Sequence, residues 1–500
     1  IVCRVAREMK KLELVFIPSP GRGHIVSMVE FAKILVARDE RFLITVLIMK
    51  LPFDAKLNAY TDSLVSSSAS ESIKFVDLSQ DDDTSISETD PLVFIDLLIQ
   101  NKKPQVKKAV TELAESSTDH PDTPRLAGFV IDMLMGTMVD VASELKVPTY
   151  VFFTSTAGFL GLKLHLQALH DKNTEIGAEP TEFMDDLDAE LEVPSFLNPV
   201  PVGVLPGVMF NEASAAVMFN LARRIRLTKG VIVNTFLELE SHALQSLVRD
   251  SESPPVYSVG PIINANDDCS QFLSASQYSD IIDWLDAQPP SSVVFLCFGS
   301  MGSFNEDQVK EIACGLEQSG LRFLWSLRKQ PPKDELASPK DYTDLRKALP
   351  ESFLDRTAGR GKVIGWAPQV AVLSHPAVGG FVSHCGWNSI LESLWFGVPF
   401  ATWPLYSEQQ LNAFQMVREL RLAVEIRLDY VTGFYCKKEP KMVRAKELEG
   451  GVRSLMEEAG NDVRKRVKEM SENSRKALMV NGSSYSSLRG LISDIICNAR

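Results

Sequence analysis

Cysteine, basic charge and long apolar runs are all scarce in this chain, and each scarcity excludes something. The seven cysteines (3, 269, 297, 314, 385, 436, 497) are scattered, with no C-x-x-C pair and no metal-ligand spacing. An odd, dispersed set reads as reduced thiols and excludes a disulfide-stapled scaffold. Basic residues number 52 against 65 acidic ones, for a formal charge of −13. Such an acidic field repels polyanions, so nucleic acid is not the expected partner. No apolar run approaches the roughly 20 residues that span a bilayer. The opening IVCRVAREMKK is basic but lacks the apolar stretch of a signal peptide. Met9 is a candidate start, with Ile1–Glu8 upstream of it. The glycine turns match neither G-x-G-x-x-G nor G-x-x-x-x-G-K-[ST], which argues against a dinucleotide oxidoreductase and a P-loop NTPase. A cytoplasmic monomer without a membrane span is expected.

There is enough chain for two cores. At 500 residues the polypeptide exceeds one typical domain. LELVFIPSP (12–20) reads as a buried strand, followed by the turn PGRGH and the helical pattern IVSMVEFAKILVARD. RFLITVLIM (41–49), SIKFVDL (72–78), LAGFVIDM (126–133), PTYVFFTS (148–155), GVIVNTF (230–236) and PVYSVGPI (255–262) continue the strands. Apolar strands alternating with helices imply a parallel sheet covered on both faces. A second round begins at SVVFLCFGSMGS (292–303) and runs through RFLWSLR, GKVIGW, VGGFVSH and PFATWPL. The expected organisation is a Rossmann-like unit over 1–262, a linker over 263–279, a second such unit over 280–480, and a last helix over 481–500. The polar stretches 61–72, 79–90, 114–125 and 170–192, and the Pro- and charge-rich 331–350, read as loops. In such α/β sheets ligands bind at the carboxyl ends of strands. PSPGRGH, VIDM, FGSMGS, GWAPQ, VSHCGWNS and WPLYSEQ all fall there.

The densest chemistry lies in WAPQVAVLSHPAVGGFVSHCGWNSILESLWFGVPFATWPLYSEQ, the 44 residues from Trp366 to Gln409. Trp366, before Ala367 and Pro368, offers an indole face for a nucleobase; alone it is as well explained as a core tryptophan. Gln369 is within reach of ribose or base edges. His384 ends a strand, and Gly386, Trp387, Asn388 and Ser389 then open a helix. A helix start presents free N–H groups and partial positive charge, which favours phosphate. A plain Ser or Asn N-cap is the bland alternative. Glu392 falls on the same helix face as Asn388 and can accept from ribose hydroxyls; otherwise it is an ordinary helix glutamate. Ser300, in the opposite glycine turn, is a candidate to meet the phosphates from the other side.

His24 ends the first glycine turn. An imidazole with an ordinary pKa near 6.5 suits a general base. Asp132 ends the strand LAGFVID and is the candidate partner that would fix its tautomer. Asp140 is the weaker choice. The bland alternatives are a turn-capping histidine and an N-capping aspartate. The run DDD (81–83) contains D-x-D but lacks a preceding strand. It reads as solvated surface, and no metal or cofactor is expected.

The box, with the family's length and no gap, resembles the signature of plant family 1 UDP-dependent glycosyltransferases, and the resemblance extends over the chain from about residue 12. It implies an α/β chain of GT-B fold, two doubly wound domains facing across a cleft, with acceptor bound by the first and UDP-sugar by the second. It implies that Glu408 and Gln409 bind the sugar hydroxyls, a terminal Gln accompanying glucose. His24 and Asp132 match the family's catalytic positions, and Thr154 is a candidate sugar or phosphate contact. The implied activity is inverting O-glucosylation of small lipophilic metabolites, phenolics and flavonoids first. Triterpenes, hormones, carboxylates, C-glycosylation and a silent UDP-sugar binder are the alternatives. Acceptor candidates are Met133, Leu134, Phe152, Phe153, Phe196 and Met209, which core packing explains as well. Many relatives carry an aromatic and a Cys at the positions of Leu134 and Met135. Membrane-bound relatives end in an apolar helix, whereas LRGLISDIICNAR is short and polar.

Overall fold

Seven apolar segments pair side by side in the first half of the chain: β1 (Leu12–Ile17), β2 (Phe42–Ile48), β3 (Ile73–Asp77), β4 (Arg125–Asp132), β5 (Thr149–Phe153), β6 (Gly230–Val233) and β7 (Val256–Ser258). All pairs are parallel, in the order β3-β2-β1-β4-β5-β6-β7. The structure, a computed structural model, describes residues 11–499 apart from 53, 67–70, 79–87, 89, 117–123, 176–185, 266–269, 333–336, 431–440 and 458–460. The proposed start at Met9 and the DDD run therefore lie outside the described residues.

The inner strands are apolar on both sides because each side meets a layer of helices. In β1, Val15 and Ile17 enter one core while Leu14 and Phe16 enter the other. This period-2 division is the reason such strands read as continuous apolar runs.

A second sheet comprises β8 (Val293–Cys297), β9 (Arg322–Ser326), β10 (Gly361–Ile364), β11 (Val378–Ser383), β12 (Phe400–Thr402) and β13 (Ala423–Glu425). Its order is β10-β9-β8-β11-β12-β13, again wholly parallel. It too has a core on each face. The last helix, Ser483–Asn498, does not pack there. Its Leu488, Leu491, Ile492 and Ile495 enter a core of the first sheet.

Several stretches expected as loops carry regular structure. The helix Ala55–Ser66 runs into 61–72, and the helix Ala157–Glu175 into 170–192. The helix Ala275–Asp286 begins inside the expected linker, where Ser274 and Gln277 form a capping box. Within 331–350, Lys340–Asp341 pairs with Arg328–Lys329 and Leu345–Lys347 forms a 3-10 turn. Polarity marks solvent contact, and a helix with one wet face satisfies that as well as a loop does. Among the described residues no helix is long and apolar enough to cross a membrane.

The strand orders decide where a ligand goes. In the first sheet the order reverses between β1 and β4, in the second between β8 and β11. Ligands sit outside the carboxyl ends of strands at such switch points.

Candidate active site

At the first switch point Ile17 pairs with Ile131, so the turn after β1 and the end of β4 are neighbours. Gly21 starts the helix Arg22–Arg38, which carries His24 in its first turn. Asp132 is fully buried. Its Oδ2 lies 2.8 Å from His24 Nδ1. Its Oδ1 accepts from Ser19 Oγ at 2.5 Å and from the Leu134 N–H at 3.0 Å. A carboxylate held by two donors has its remaining oxygen fixed for the imidazole. Thr154 Oγ1 stands 3.1 Å from the same Nδ1. Among the described residues Nε2 has no partner, and the His24 side chain is 29% exposed. Burial opposes a charge on this ring, but the Asp132 carboxylate, with a smaller contribution from Glu408, outweighs it and raises the pKa above 6.5. Asp140 is elsewhere: Lys103 Nζ donates to it at 2.6 Å and Arg224 also donates to it.

At the second switch point Cys297 pairs with Ser383. After β8, Gly299 takes a φ of +75° and leads to Ser300. After β11, Cys385 adopts a φ of +62° and Gly386 is the N-cap of the helix Trp387–Phe396. No side chain caps this helix, so the simple N-cap alternative does not hold. The His384 ring sits between the two glycine turns. A Cβ at Gly299 would lie 2.5 Å from its Nε2, and one at Gly386 2.4 Å. Burial keeps this imidazole neutral, its pKa down at about 4 against the smaller opposing pull of the Cys297 carbonyl. Its Nδ1 is buried without a hydrogen-bond partner. An uncapped helix start beside an orphaned imidazole nitrogen has the chemistry of an anion site.

The other predicted donor residues are arranged less simply. Gln369 Nε2 donates to Ser389 Oγ at 2.8 Å and to Glu392 Oε2 at 2.7 Å, so these three form one cluster. Asn388 reaches into the first domain: its Nδ2 donates to the Gly23 carbonyl at 3.1 Å and its Oδ1 accepts from Ser27 at 3.2 Å. A ligand drawing on that amide must replace those bonds. Glu408 Oε1 accepts from Ser155 Oγ at 3.0 Å, again between domains. Phe272 stacks on the Trp366 indole with centroids 4.3 Å apart, and Arg328 stands 5.1 Å from the ring. Ala367 is buried beside them.

Several of the singled-out side chains are held by the fold itself. The Trp387 indole is in the core and donates to the Asn234 carbonyl at 2.7 Å, leaving only its backbone N–H at the helix start. Gln409 is buried, and its Oε1 accepts from the Leu405 and Tyr406 N–H groups at 2.9 and 3.1 Å. Its carbonyl is committed to holding that turn and is not available to a sugar. Phe152 and Phe153 are both wholly buried. Being adjacent on β5 they point to opposite faces, Phe152 stacking on Phe31 and Phe153 packing near Phe159. Neither lines an open pocket. Met133, Phe196 and Met209 lie in the core on the Phe153 side of the sheet, with Leu134 half-buried against it.

Sequence reasoning missed Ser19, Ser155 and Glu240. The first two were within reach, since each adjoins a singled-out residue or shares its turn. Glu240 had no local signal. Its buried carboxylate accepts from the Ala157 and Gly158 N–H groups at 2.9 and 3.0 Å and from Gln415 of the second domain at 2.8 Å. It thus caps the helix Ala157–Glu175 and ties it to the donor side. Among the described residues no three His, Cys, Asp or Glu side chains gather as a cation site.

The family described as UDP-glucoronosyl and UDP-glucosyl transferase matches residues 268–432. The chain is 56% identical to a putative UDP-glucose flavonoid 3-O-glucosyltransferase 3 of Fragaria ananassa, over 97% of this chain and 100% of the relative. It is 48% identical to UDP-glycosyltransferase 1 of Panax ginseng, over 97% and 100% of the two chains. Among solved structures, Medicago truncatula UGT71G1 complexed with UDP-glucose superposes with a TM-score of 0.84 at 40% identity, covering 97% of this chain and 98% of that one. A Siraitia grosvenorii transferase in complex with UDP gives 0.83 at 46% identity, over 97% and 100%. With two Rossmann-like sheets, a His–Asp pair at one switch point and an uncapped helix start at the other, the chain belongs to the plant UDP-glycosyltransferases, enzymes that transfer a sugar from a UDP-sugar to plant metabolites.

Proposed function

We propose that this enzyme is an inverting UDP-glucose-dependent O-glucosyltransferase of phenolic metabolites, flavonoids first, forming β-glucosides without a metal or cofactor. The observation that carries the proposal is the 2.8 Å His24–Asp132 contact beside the helix start at Trp387. The names of the Fragaria relatives, both UDP-glucose flavonoid 3-O-glucosyltransferases, favour the acceptor class.

The chemistry follows from the atoms. Asp132 accepts from Nδ1–H, so the lone pair of His24 is on Nε2. Nε2 takes the acceptor hydroxyl's proton as that oxygen attacks C1 of glucose. The C1–O bond to UDP breaks on the opposite face, so the configuration at C1 inverts. The imidazolium that forms is stabilised by Asp132. Charge growing on UDP meets the N–H groups at Trp387–Ser389 and the neutral His384. Base assistance of this kind is worth roughly 10²–10⁴ in rate. A phenol, with a pKa near that of Tyr at about 10, asks less of His24 than an aliphatic alcohol does.

The test is an assay of purified protein with UDP-glucose and EDTA against flavonols, simple phenols and triterpene alcohols, read by mass spectrometry. One added hexose on the phenolics, absent with His24→Ala, is expected. Transfer only to triterpenes would overturn the acceptor class. Transfer abolished by EDTA would overturn the metal-free mechanism. UDP-glucose binding without turnover of any acceptor would favour a silent binder.

A further inference from the structure

One carboxylate buried between the two domains is used by neither the base nor the phosphate-facing helix start. Glu240 is 2% exposed. Its Oε2 accepts from the Ala157 N–H at 2.9 Å, and its Oε1 accepts from the Gly158 N–H at 3.0 Å and from Gln415 Nε2 at 2.8 Å. Gln415 belongs to the second domain and is itself buried. The approach there is close, since a Cβ at Gly158 would lie 3.1 Å from Gln415 Nε2. Helix capping alone does not account for the arrangement. Thr156 Oγ1 already caps the helix locally by accepting from the Phe159 N–H at 2.8 Å. A carboxylate taken out of water is a costly way to satisfy two more N–H groups, and burial pushes the pKa of Glu240 up despite its donors. The bond that a local cap cannot supply is the one to Gln415.

The two elements that Glu240 joins also meet at Glu408. The turn from β5 into the helix Ala157–Glu175 places Thr154 Oγ1 3.1 Å from His24 Nδ1, and its Ser155 Oγ donates to Glu408 Oε1 at 3.0 Å. Glu408 is the N-cap of the helix Gln409–Phe414, which continues into a π turn at Gln415–Glu419. Such turns are rare and occur often at functional sites. Glu408 and Gln415 are thus about two helical turns apart on one element. Ser155–Glu408 and Glu240–Gln415 attach the same two elements at two points. A single attachment fixes a distance and leaves a pivot, whereas the second fixes the orientation. We propose that Glu240 is a positioning residue for glucosyl transfer, which through Gln415 orients the element carrying Glu408, and with it the sugar, against the turn beside His24. This rests on the proposed transfer at His24 and on Glu408 meeting the sugar.

The test cuts the bond between the domains and leaves the helix cap in place. Gln415→Met removes the donor while Glu240 keeps the Ala157 and Gly158 N–H groups, and Gln415→Lys restores a donor to the same carboxylate. Both are compared with the full wild-type chain, and thermal melting confirms that each variant is folded. Initial rates are measured with UDP-glucose and a flavonol, and UDP and UDP-glucose are each titrated by calorimetry. A misplacement of about 1 Å at the reacting centre costs up to roughly 100-fold. Turnover of Gln415→Met is therefore expected to fall roughly 10- to 100-fold, with the UDP Kd within about twofold of wild type and UDP-glucose weakened at least about fivefold more than UDP. Gln415→Lys should recover most of the loss. Turnover within about threefold of wild type in Gln415→Met would overturn the proposal, as would equal weakening of UDP and UDP-glucose, which marks a purely structural tie. If wild type transfers no glucose to the flavonol, the transfer proposal fails for that acceptor. The paired titrations then decide on their own: selective weakening of UDP-glucose in Gln415→Met supports the role of Glu240, and parallel or absent changes overturn it.

Discussion

Asp132→Asn tests the catalytic pair more sharply than removal of His24, because the surrounding donors dictate how the new amide must sit. Oδ1 of Asp132 receives the Leu134 N–H and Ser19 Oγ, while Oδ2 faces His24. If the amide oxygen stays with Leu134, its NH2 points at His24 Nδ1. That nitrogen must then accept, the ring hydrogen moves to Nε2, and the lone pair facing the acceptor is lost. If the amide flips, its NH2 meets the Leu134 N–H, a buried donor against a donor, at a cost of about 1–3 kcal/mol. The first arrangement is the cheaper one, so the variant holds the wrong tautomer. The turnover number is expected to fall roughly 10²–10⁴-fold, with UDP affinity little changed because Asp132 touches no donor residue. The pH profile adds an independent check. Wild-type kcat/KM depends on neutral His24, so it rises with pH through a pKa above 6.5. Without the carboxylate, burial is left to dominate and the inflection moves to lower pH. Initial rates with a flavonol acceptor between about pH 5 and 9 read both effects. Turnover within about threefold of wild type, or an unmoved inflection, would refute the tautomer argument.

Other substitutions separate structural from ligand-facing roles. Gly386→Ala keeps an ordinary φ of −62° but sets a Cβ 2.4 Å from His384 Nε2. A clash of this kind costs about 1–3 kcal/mol, and if binding bears it UDP affinity by calorimetry falls roughly 5- to 150-fold. Trp387→Phe removes the donor to the Asn234 carbonyl but keeps the backbone N–H; melting temperature should fall while the UDP Kd stays within about twofold. Asp140→Asn breaks pairs with Lys103 and Arg224 at a half-exposed site, so turnover should remain within about twofold of wild type. A loss comparable to that of Asp132→Asn would reassign the base's partner.

Much of this was legible because the chemistry is locally encoded. Strand, glycine turn and helix start follow one another in PSPGRGH and again in VSHCGWNS, and an apolar run followed by glycine says where a sheet edge opens. Polar composition was a poorer guide, since 61–66 and 275–279 are helical despite reading as loop or linker. Side-chain direction was legible only along an element. Adjacent Phe152 and Phe153 cannot both face one pocket, and alternation alone said so. Whether either faced an open pocket depended on Phe31 and Phe159, which the strand's own sequence does not contain.

The sequence by itself determined which groups are present and which turns carry them: an imidazole, a carboxylate, a glycine-opened helix start and a run of polar side chains at strand ends. Tertiary structure decided which of them meet. His24 and Asp132 are 108 positions apart and touch because β1 and β4 lie side by side at the point where strand order reverses. Ser27 and Asn388, 361 positions apart, join the two domains across the cleft. Tertiary structure also committed the Gln409 carbonyl and the Trp387 indole to the fold. The physical reason is that periodicity and turn chemistry act over a few residues, whereas strand order and hydrogen-bond satisfaction are set by contacts between segments far apart in the chain.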